Sequence, residues 1–420
     1  MAATGALGNT MGVAPQALFD FYSAPSDREV VTLQIRPMSH IHLGSSQDAQ
    51  ALRDDLATTR RLALDCEAAG FHRYSDRLCL LQLTTERSTY VIDPLGFDPS
   101  ELLRGPLENP DVKVVMHGAD FDLRLLRRDV GIELRGLFDT QIAAQLLGEE
   151  SIGLAALLES RLDVSLSKKF QRADWAERPL NDAMLEYAAD DTRYLMRLAD
   201  IMVQELEAAG RESWAEEECR ALELAAGSIP AEPAEPADPV VRVKGARKLS
   251  TRQVAALRVA LEWRDDIARK LDRAPFRVIG DGPLIEAVAT RPQRVRELTE
   301  IKGFPARLAN EEGAELLERL DRIASSPEDQ LLPYPKGSGK GTGRAPPEVE
   351  ALADRLKSVR NRKSDELGLP RGTLLSNAVV NEIARLAPAD LAELSVIDGM
   401  RRWKSGAVGA DLLAVIRGSG

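Results

Sequence analysis

Between Gly227 and Gly245 the chain reads GSIPAEPAEPADPVVRVKG, with four prolines in nineteen residues. Proline lacks a backbone N–H and fixes φ, so neither a helix nor a central strand runs through such a stretch. It predicts an extended, semi-rigid spacer, and the chain must build separate cores on either side of it. A length of 420 residues with 44% hydrophobic content leaves room for two or three such bodies. A second break, residues 325–347, contains KGSGKGTGRAPP, which reads as a flexible linker whose basic residues are also able to touch a phosphate backbone. The expected division is a mobile tail over 1–29, a first domain over 30–226, a spacer over 227–245, a helical unit over 246–325, a linker over 326–346 and a second helical unit over 347–420.

The two sides of the spacer differ in pattern. From Val30, strand-length apolar runs come first: Leu62 to Glu67, Leu78 to Leu83, Tyr90 to Ile92 and Val112 to Met116. Helical spacing follows over Asp120 to Arg128, Thr140 to Leu147, Leu154 to Leu162 and Asp182 to about Leu224. Strands followed by helices predict a mixed sheet packed by helices. Beyond the spacer all periodicity is helical, and the two segments match when shifted by 96 residues: Leu298 falls on Leu394, Ile301 on Ile397, Gly303 on Gly399 and Leu316 on Leu412. A duplicated small helical domain is the expected account.

Charge divides at the same place. The whole chain carries −11, but residues 1–241 hold −18, while 242–325 hold +5 and 336–420 hold +4. An acidic front with two mildly basic appendages suits a metal-dependent enzyme with polyanion-binding modules, and chance scatter also produces it. Three cysteines without CxxC spacing suggest neither a disulfide framework nor a thiolate zinc site. No stretch approaches the roughly 18 to 20 apolar residues of a membrane span, and the N-terminus lacks a signal-peptide pattern, so a soluble cytoplasmic protein is expected.

The sharpest local feature is Asp65-Cys66-Glu67 inside an apolar strand. Residues two apart in a strand share a face, so two carboxylates project side by side. Such a pair is either solvated or a cation site, because burying adjacent like charges is costly without neutralisation. All-oxygen ligands favour Mg²⁺ or Mn²⁺ over Zn²⁺. His117-Gly118-Ala119 then leads into a helix bearing Asp120 and Asp122, which stabilisation by the helix N-terminus would also explain. Tyr187 and Asp191 lie four apart on a later helix and share its face, as ordinary surface pairs also do.

In combination, the segments LALDCEAAGFHRYSDRLCLLQL, VVMHGADFDLRLL, LFDTQIAAQLLG, KKFQRADWAERPL and YAADDTRYL resemble the DEDDy branch of the 3′-5′ exonuclease superfamily, and within it the ribonuclease D family, over about residues 30–220. The two helical repeats resemble HRDC domains, the second, from about Pro347, being the more divergent. The resemblance implies an α/β ribonuclease-H-like exonuclease domain, a mixed sheet with flanking helices, followed by two small all-α domains. It maps the catalytic positions onto Asp65, Glu67, Asp122, Tyr187 and Asp191, the four acids holding two divalent ions, Mg or Mn. On this reading Asp65 bridges the ions, Glu67 and Asp191 complete the one that binds the attacking water, Asp122 serves the other, and Tyr187 orients the water. Asp120 and Asp190 are read as flanking charges.

The implied activity is a 3′-5′ exoribonuclease that releases 5′-mononucleotides from tRNA precursors and other structured RNA. It needs no protein partner. The same five residues serve DNA, so a DNA exonuclease stays open, as does a non-catalytic RNA-binding scaffold. Candidate substrate contacts are Lys168, Lys169 and Arg178 for the backbone and Trp175 for a terminal base, with core packing as the alternative for Trp175. Gln82, Leu83 and His117 are further candidates near the terminal nucleotide, or structural residues. Tyr334, Trp403 and the basic runs Arg360–Lys363 and Arg401–Lys404 are candidates for extra RNA contacts, on modules tethered flexibly to the enzyme.

Overall fold

The computed structural model describes residues 40–228, 238–335 and 346–418. The expected tail over 1–29 lies outside them, as do the central residues of both linkers. Six strands, β1 (His40–Leu43), β2 (Arg61–Ala68), β3 (Leu78–Thr84), β4 (Thr89–Ile92), β5 (Lys113–Met116) and β6 (Leu137–Asp139), form one sheet in the order β1-β4-β3-β2-β5-β6. β3 runs antiparallel to β2 and β4, while β1–β4, β2–β5 and β5–β6 are parallel pairs. The sheet is therefore mixed, as expected.

Eight helices accompany it among the described residues: α1 (Gln50–Leu56), α2 (Ser100–Leu107), α3 (Asp120–Leu125), α4 (Thr140–Leu147), α5 (Leu154–Leu162), α6 (Asp182–Arg193), α7 (Leu195–Ala209) and α8 (Glu212–Gly227). The long helical stretch read after Asp182 is three helices, the second ending where Gly210 adopts a left-handed φ of 64°. Sequence reading missed β1 and β6, each four residues or fewer and too short to show a period.

β2 shows why two layers cover this sheet. Leu62, Leu64 and Cys66 pack into one core with α2 and α3, while Ala63 on the opposite face joins the core of α4, α5 and α7. Asp65 and Glu67 share the face of Ala63, towards α6 and α7.

The first helical unit consists of α9 (Thr251–Lys270), α10 (Pro275–Val278), α11 (Asp281–Thr290), α12 (Val295–Glu300) and α13 (Ala306–Ser325). Its core begins earlier than residue 246, because Asp238 caps a short 3₁₀ turn over Pro239–Arg242 that buries Val240 and Val243 against α9. Its end is also later: Arg258 donates to the carbonyls of Leu332 and Pro333, and Tyr334 packs against the same core beneath Arg247.

The second unit comprises α14 (Pro347–Leu367), α15 (Arg371–Leu374), α16 (Asn377–Leu386), α17 (Leu391–Ser395) and α18 (Arg402–Arg417). It is not a loosely tethered module. Leu352, Leu356 and Trp403 share one buried core with Leu157, Leu198 and Leu206 of the sheet domain. Trp403 stacks on Trp214 with ring centroids 4.5 Å apart, and its Nε1 donates to Glu218 at 2.8 Å. Glu217 accepts the backbone N–H groups of Arg402 and Trp403, satisfying the first turn of α18. Lys404 and Arg401 both pair with Glu218. Of the run Arg401–Lys404, a candidate for RNA contact, Arg401, Trp403 and Lys404 are thus spent on an internal interface, while the Arg402 side chain is 95% exposed. Arg360 is likewise buried, donating to the Leu375 carbonyl and to Asn377, and Lys363 pairs with Glu366 and Asp411.

Candidate active site

In the β2–β3 ladder Asp65 stands opposite Gln82 and Glu67 opposite Leu80, with a register shift between Glu67 and Ala68 near the end of the strand. α6 crosses this face and delivers Asp191. Oxygen atoms of Asp65, Glu67 and Asp191 lie within 4.8 Å of one another. Tyr187, one turn earlier on α6, has its ring edge-on to Phe170 at 5.8 Å and tilted against Trp175 at 6.1 Å.

Asp122 comes from the first turn of α3 and is 8% exposed. It stands outside the 4.8 Å group, yet near enough for the charge of Asp65 to act on it. Its placement depends on Asp139, which sequence reading passed over. The buried Asp139 carboxylate caps α4 by accepting from Gln141 N, and reaches across to accept from Gly118 N at 2.9 Å and Ala119 N at 2.8 Å. Gly118 has a φ of 68°, the left-handed conformation that presents both amides to one carboxylate. The signal for Asp139 was an Asp-Thr pair before an apolar helical run, a helix N-cap.

The electrostatics follow from burial. Asp65 is pushed up to about 7 and Asp191 to about 8, mainly by loss of water, with the Asp65 charge adding to the shift of Asp191. Glu67 and Asp122 rise well above the ordinary carboxylate range, by burial and then by the charge of Asp65. Tyr187 is raised too, by burial and then by Asp191 and Glu67, so its hydroxyl keeps its proton at neutral pH. Among the described residues no lysine or arginine pairs with any of the four acids. Asp190, by contrast, pairs with Arg193, and Asp120 with Arg124. Oxygen donors alone, Asp122 buried and the other three partly so, without a counter-charge among the described residues, fit a hard divalent cation.

The expected substrate contacts divide. Lys168 and Lys169 are exposed. Trp175 is 2% exposed in a core with Leu80, Val91 and Ala188, and offers no face to a base. The Arg178 guanidinium is consumed by Asp93, at 2.6 and 2.8 Å, and by the carbonyls of Cys79 and Trp175, so it anchors a loop rather than a phosphate. Gln82 and Leu83 are 0% exposed, Leu83 lying in the core on the opposite face and Gln82 standing across the ladder from Asp65. His117 is partly buried against Thr140 Oγ1 at 3.0 Å, and burial lowers its pKa.

Comparison with known proteins agrees with this arrangement. A family model described as 3′-5′ exonuclease matches residues 43–207, and the HRDC domain model matches twice, at 253–320 and 349–416. Ribonuclease D of Pseudomonas paraeruginosa is 28% identical over 88% of this chain and 98% of its own length. The exosome complex component 10 homolog of Caenorhabditis elegans is 31% identical over 60% of the chain, which spans only 29% of that longer protein. Escherichia coli RNase D, whose crystal structure is described as that of an exoribonuclease involved in structured RNA processing, superposes with a TM-score of 0.66 at 26% identity, covering 91% of this chain and 99% of that one. An exonuclease sheet carrying the four acids, followed in the same chain by two HRDC domains, is the arrangement this chain shares with ribonuclease D over nearly its whole length, and it makes the protein a 3′-5′ exoribonuclease.

Proposed function

We propose that the chain trims the 3′ ends of structured RNA, tRNA precursors above all, releasing 5′-mononucleotides by hydrolysis. The observation that carries this reading is the convergence of Asp65, Glu67 and Asp191 on one face of the sheet, with Asp122 beside them and, among the described residues, no cationic side chain paired with any of the four. Two bound divalent cations, Mg²⁺ or Mn²⁺, would supply activation of water and neutralisation of the phosphate and leaving oxygens. The four acids would hold them, Asp65 being the one whose charge reaches each of Glu67, Asp122 and Asp191. Tyr187, protonated at neutral pH, donates a hydrogen bond that orients the attacking water. Lys168 and Lys169, exposed on the loop before α6, meet the RNA backbone. The structured-RNA role described for the Escherichia coli relative supports the substrate class.

The division into an exonuclease domain and two helical units is part of the proposal, with the first unit running from about Asp238 to Tyr334. Three free cysteines, two of them buried, support a reducing cytoplasmic setting. No helix among the described residues is long and apolar enough to cross a membrane.

The test is digestion of a 3′-labelled tRNA precursor and its DNA counterpart with Mg²⁺, with Mn²⁺ and with chelator, comparing wild type with Asp191→Asn. Metal-dependent release of labelled mononucleotide from RNA, absent in the variant, is the expected result. Preferential trimming of DNA, or cleavage by the variant at the wild-type rate, overturns the reading.

A further inference from the structure

The loop after β2 and the loop before α6 are joined beside the acidic cluster. His72 Nε2 hydrogen-bonds to the Arg172 carbonyl at 2.8 Å, and Arg73 pairs with Asp174 at 2.8 Å. The first HRDC domain closes onto the same loop: Ala274 N donates to His72 O at 3.0 Å, and Tyr74 Oη donates to Asp265 at 2.8 Å. Polar contacts and the packing of Tyr74 against the HRDC core make this seam. Two phenyl rings at it remain largely in water, Phe71 at 44% and Phe276 at 53% exposure, with centroids 5.6 Å apart. Rings so exposed add little to holding the domains together.

Cations surround them. The guanidinium groups of Arg277 and Arg172 lie 5.2 and 5.9 Å from the Phe71 ring. Neither arginine has a carboxylate partner among the described residues, nor has Arg273 in the adjoining cleft. Arg172 belongs to the turn that carries Lys169, whose Nζ lies 5.1 Å from the Phe170 ring, and Phe170 meets Tyr187. Rings and cations thus alternate from Tyr187 through Phe170 to Phe71 and Phe276, from the acidic cluster to the first HRDC domain. A single strand has that chemistry in mirror image, with bases to stack on rings and phosphates to meet cations. A duplex keeps its base faces occupied.

We propose that this strip binds the single-stranded RNA segment lying 5′ of the nucleotide being removed, with Phe71 and Phe276 stacking on bases and Arg172 and Arg277 meeting phosphates. The proposal rests on the exoribonuclease reading of the acidic cluster. It assigns strand holding to the first HRDC domain, since the second is spent on bracing the enzyme.

The experiment uses the full chain as wild type, the double variant Phe71→Ala/Phe276→Ala and the double variant Phe71→Tyr/Phe276→Tyr. Binding of a fluorescent single-stranded RNA of about 12 nucleotides is measured in chelator, and hydrolysis of that RNA and of a dinucleotide is measured with Mg²⁺. The alanine variant is expected to bind the longer RNA at least about tenfold more weakly. The tyrosine variant matches wild type, and dinucleotide hydrolysis is unchanged in both. Unchanged affinity of the alanine variant, equal loss on the dinucleotide, or equal dependence of blunt duplex binding on the rings overturns the proposal. Should the alanine variant fail to fold, Arg172→Gln/Arg277→Gln serves instead. Its salt dependence is expected to be shallower by about 0.7 for each phosphate the arginines no longer neutralise, and an unaltered slope overturns the proposal. The two readings fail separately. A wild type that binds through the rings but cleaves no RNA removes the catalytic reading alone, whereas trimming with ring-independent binding removes the strip alone.

Discussion

The carboxylate of Asp139, at the end of β6, accepts a hydrogen bond from the backbone N–H of Ala119 at 2.8 Å, twenty residues away in sequence. Through that bond a helix cap in one part of the sheet sets where another helix begins, and hence where Asp122 stands.

Asp139→Ala removes the cap of α4 and orphans two amides in the loop before α3. The expected cost is about 3 kcal/mol, from a cap and buried unsatisfied donors together. A displaced Asp122 lowers kcat by about a hundredfold. Asp139→Asn, which still caps, keeps more of both. Urea unfolding and single-turnover cleavage read the two effects, and an alanine variant with wild-type kcat removes the positioning role.

Asp65→Asn takes one charge out of the crowded cluster at little steric cost. Cleavage is abolished, while the metal-free protein gains stability on the order of 1 kcal/mol, because buried repulsion falls. Wild-type protein is stabilised by added Mg²⁺ and the variant much less so. Thermal melts with and without Mg²⁺ check this, and equal stabilisation of both proteins contradicts it.

Trp403→Ala opens a cavity against Trp214 and removes one of the donors to Glu218, which keeps Arg401 and Lys404. A loss of about 3 kcal/mol or more is expected. RNA affinity measured on the folded protein is unchanged, since this ring faces the enzyme and not solvent. A selective fall in RNA affinity at unchanged stability returns Trp403 to a binding role.

Asp93 is held below its ordinary 3.8: burial pushes it up, but hydrogen bonds and charge from Arg178 outweigh that. A carboxyl lowered on folding contributes its full stability above the unfolded value and loses it as pH falls through the folded value. Acid unfolding of wild type therefore draws on this pair below about pH 3.8. Arg178→Ala leaves Asp93 buried and unpaired at neutral pH, costing about 3 kcal/mol. Because burial alone raises Asp93 in the variant, its stability deficit relative to wild type begins to shrink above that pH and goes on shrinking through it, as melts across the acid range will show, and a pH-independent deficit excludes the pairing.

Much of this was written locally in the chain. Alternation in β2 placed Asp65 and Glu67 on one face, and helical spacing placed Tyr187 above Asp191, because those relationships are set by backbone period alone. The 96-residue repeat announced two like helical domains, since identical packing needs recur wherever the same fold recurs. The same local reading left Trp175 open between a base and the core and the run Arg401–Lys404 open between RNA and solvent, and it did not foresee that Arg178 is held by Asp93. An aromatic or basic residue looks alike in sequence whether it faces RNA or a neighbouring element, and burial is a property of what folds over it. The family resemblance anticipated Asp191 beside Asp65, and only the tertiary structure tied α3 to Asp139 and spent one HRDC domain on bracing the enzyme. These are contacts between distant segments, and their energies come from packing and desolvation that no short stretch of sequence contains.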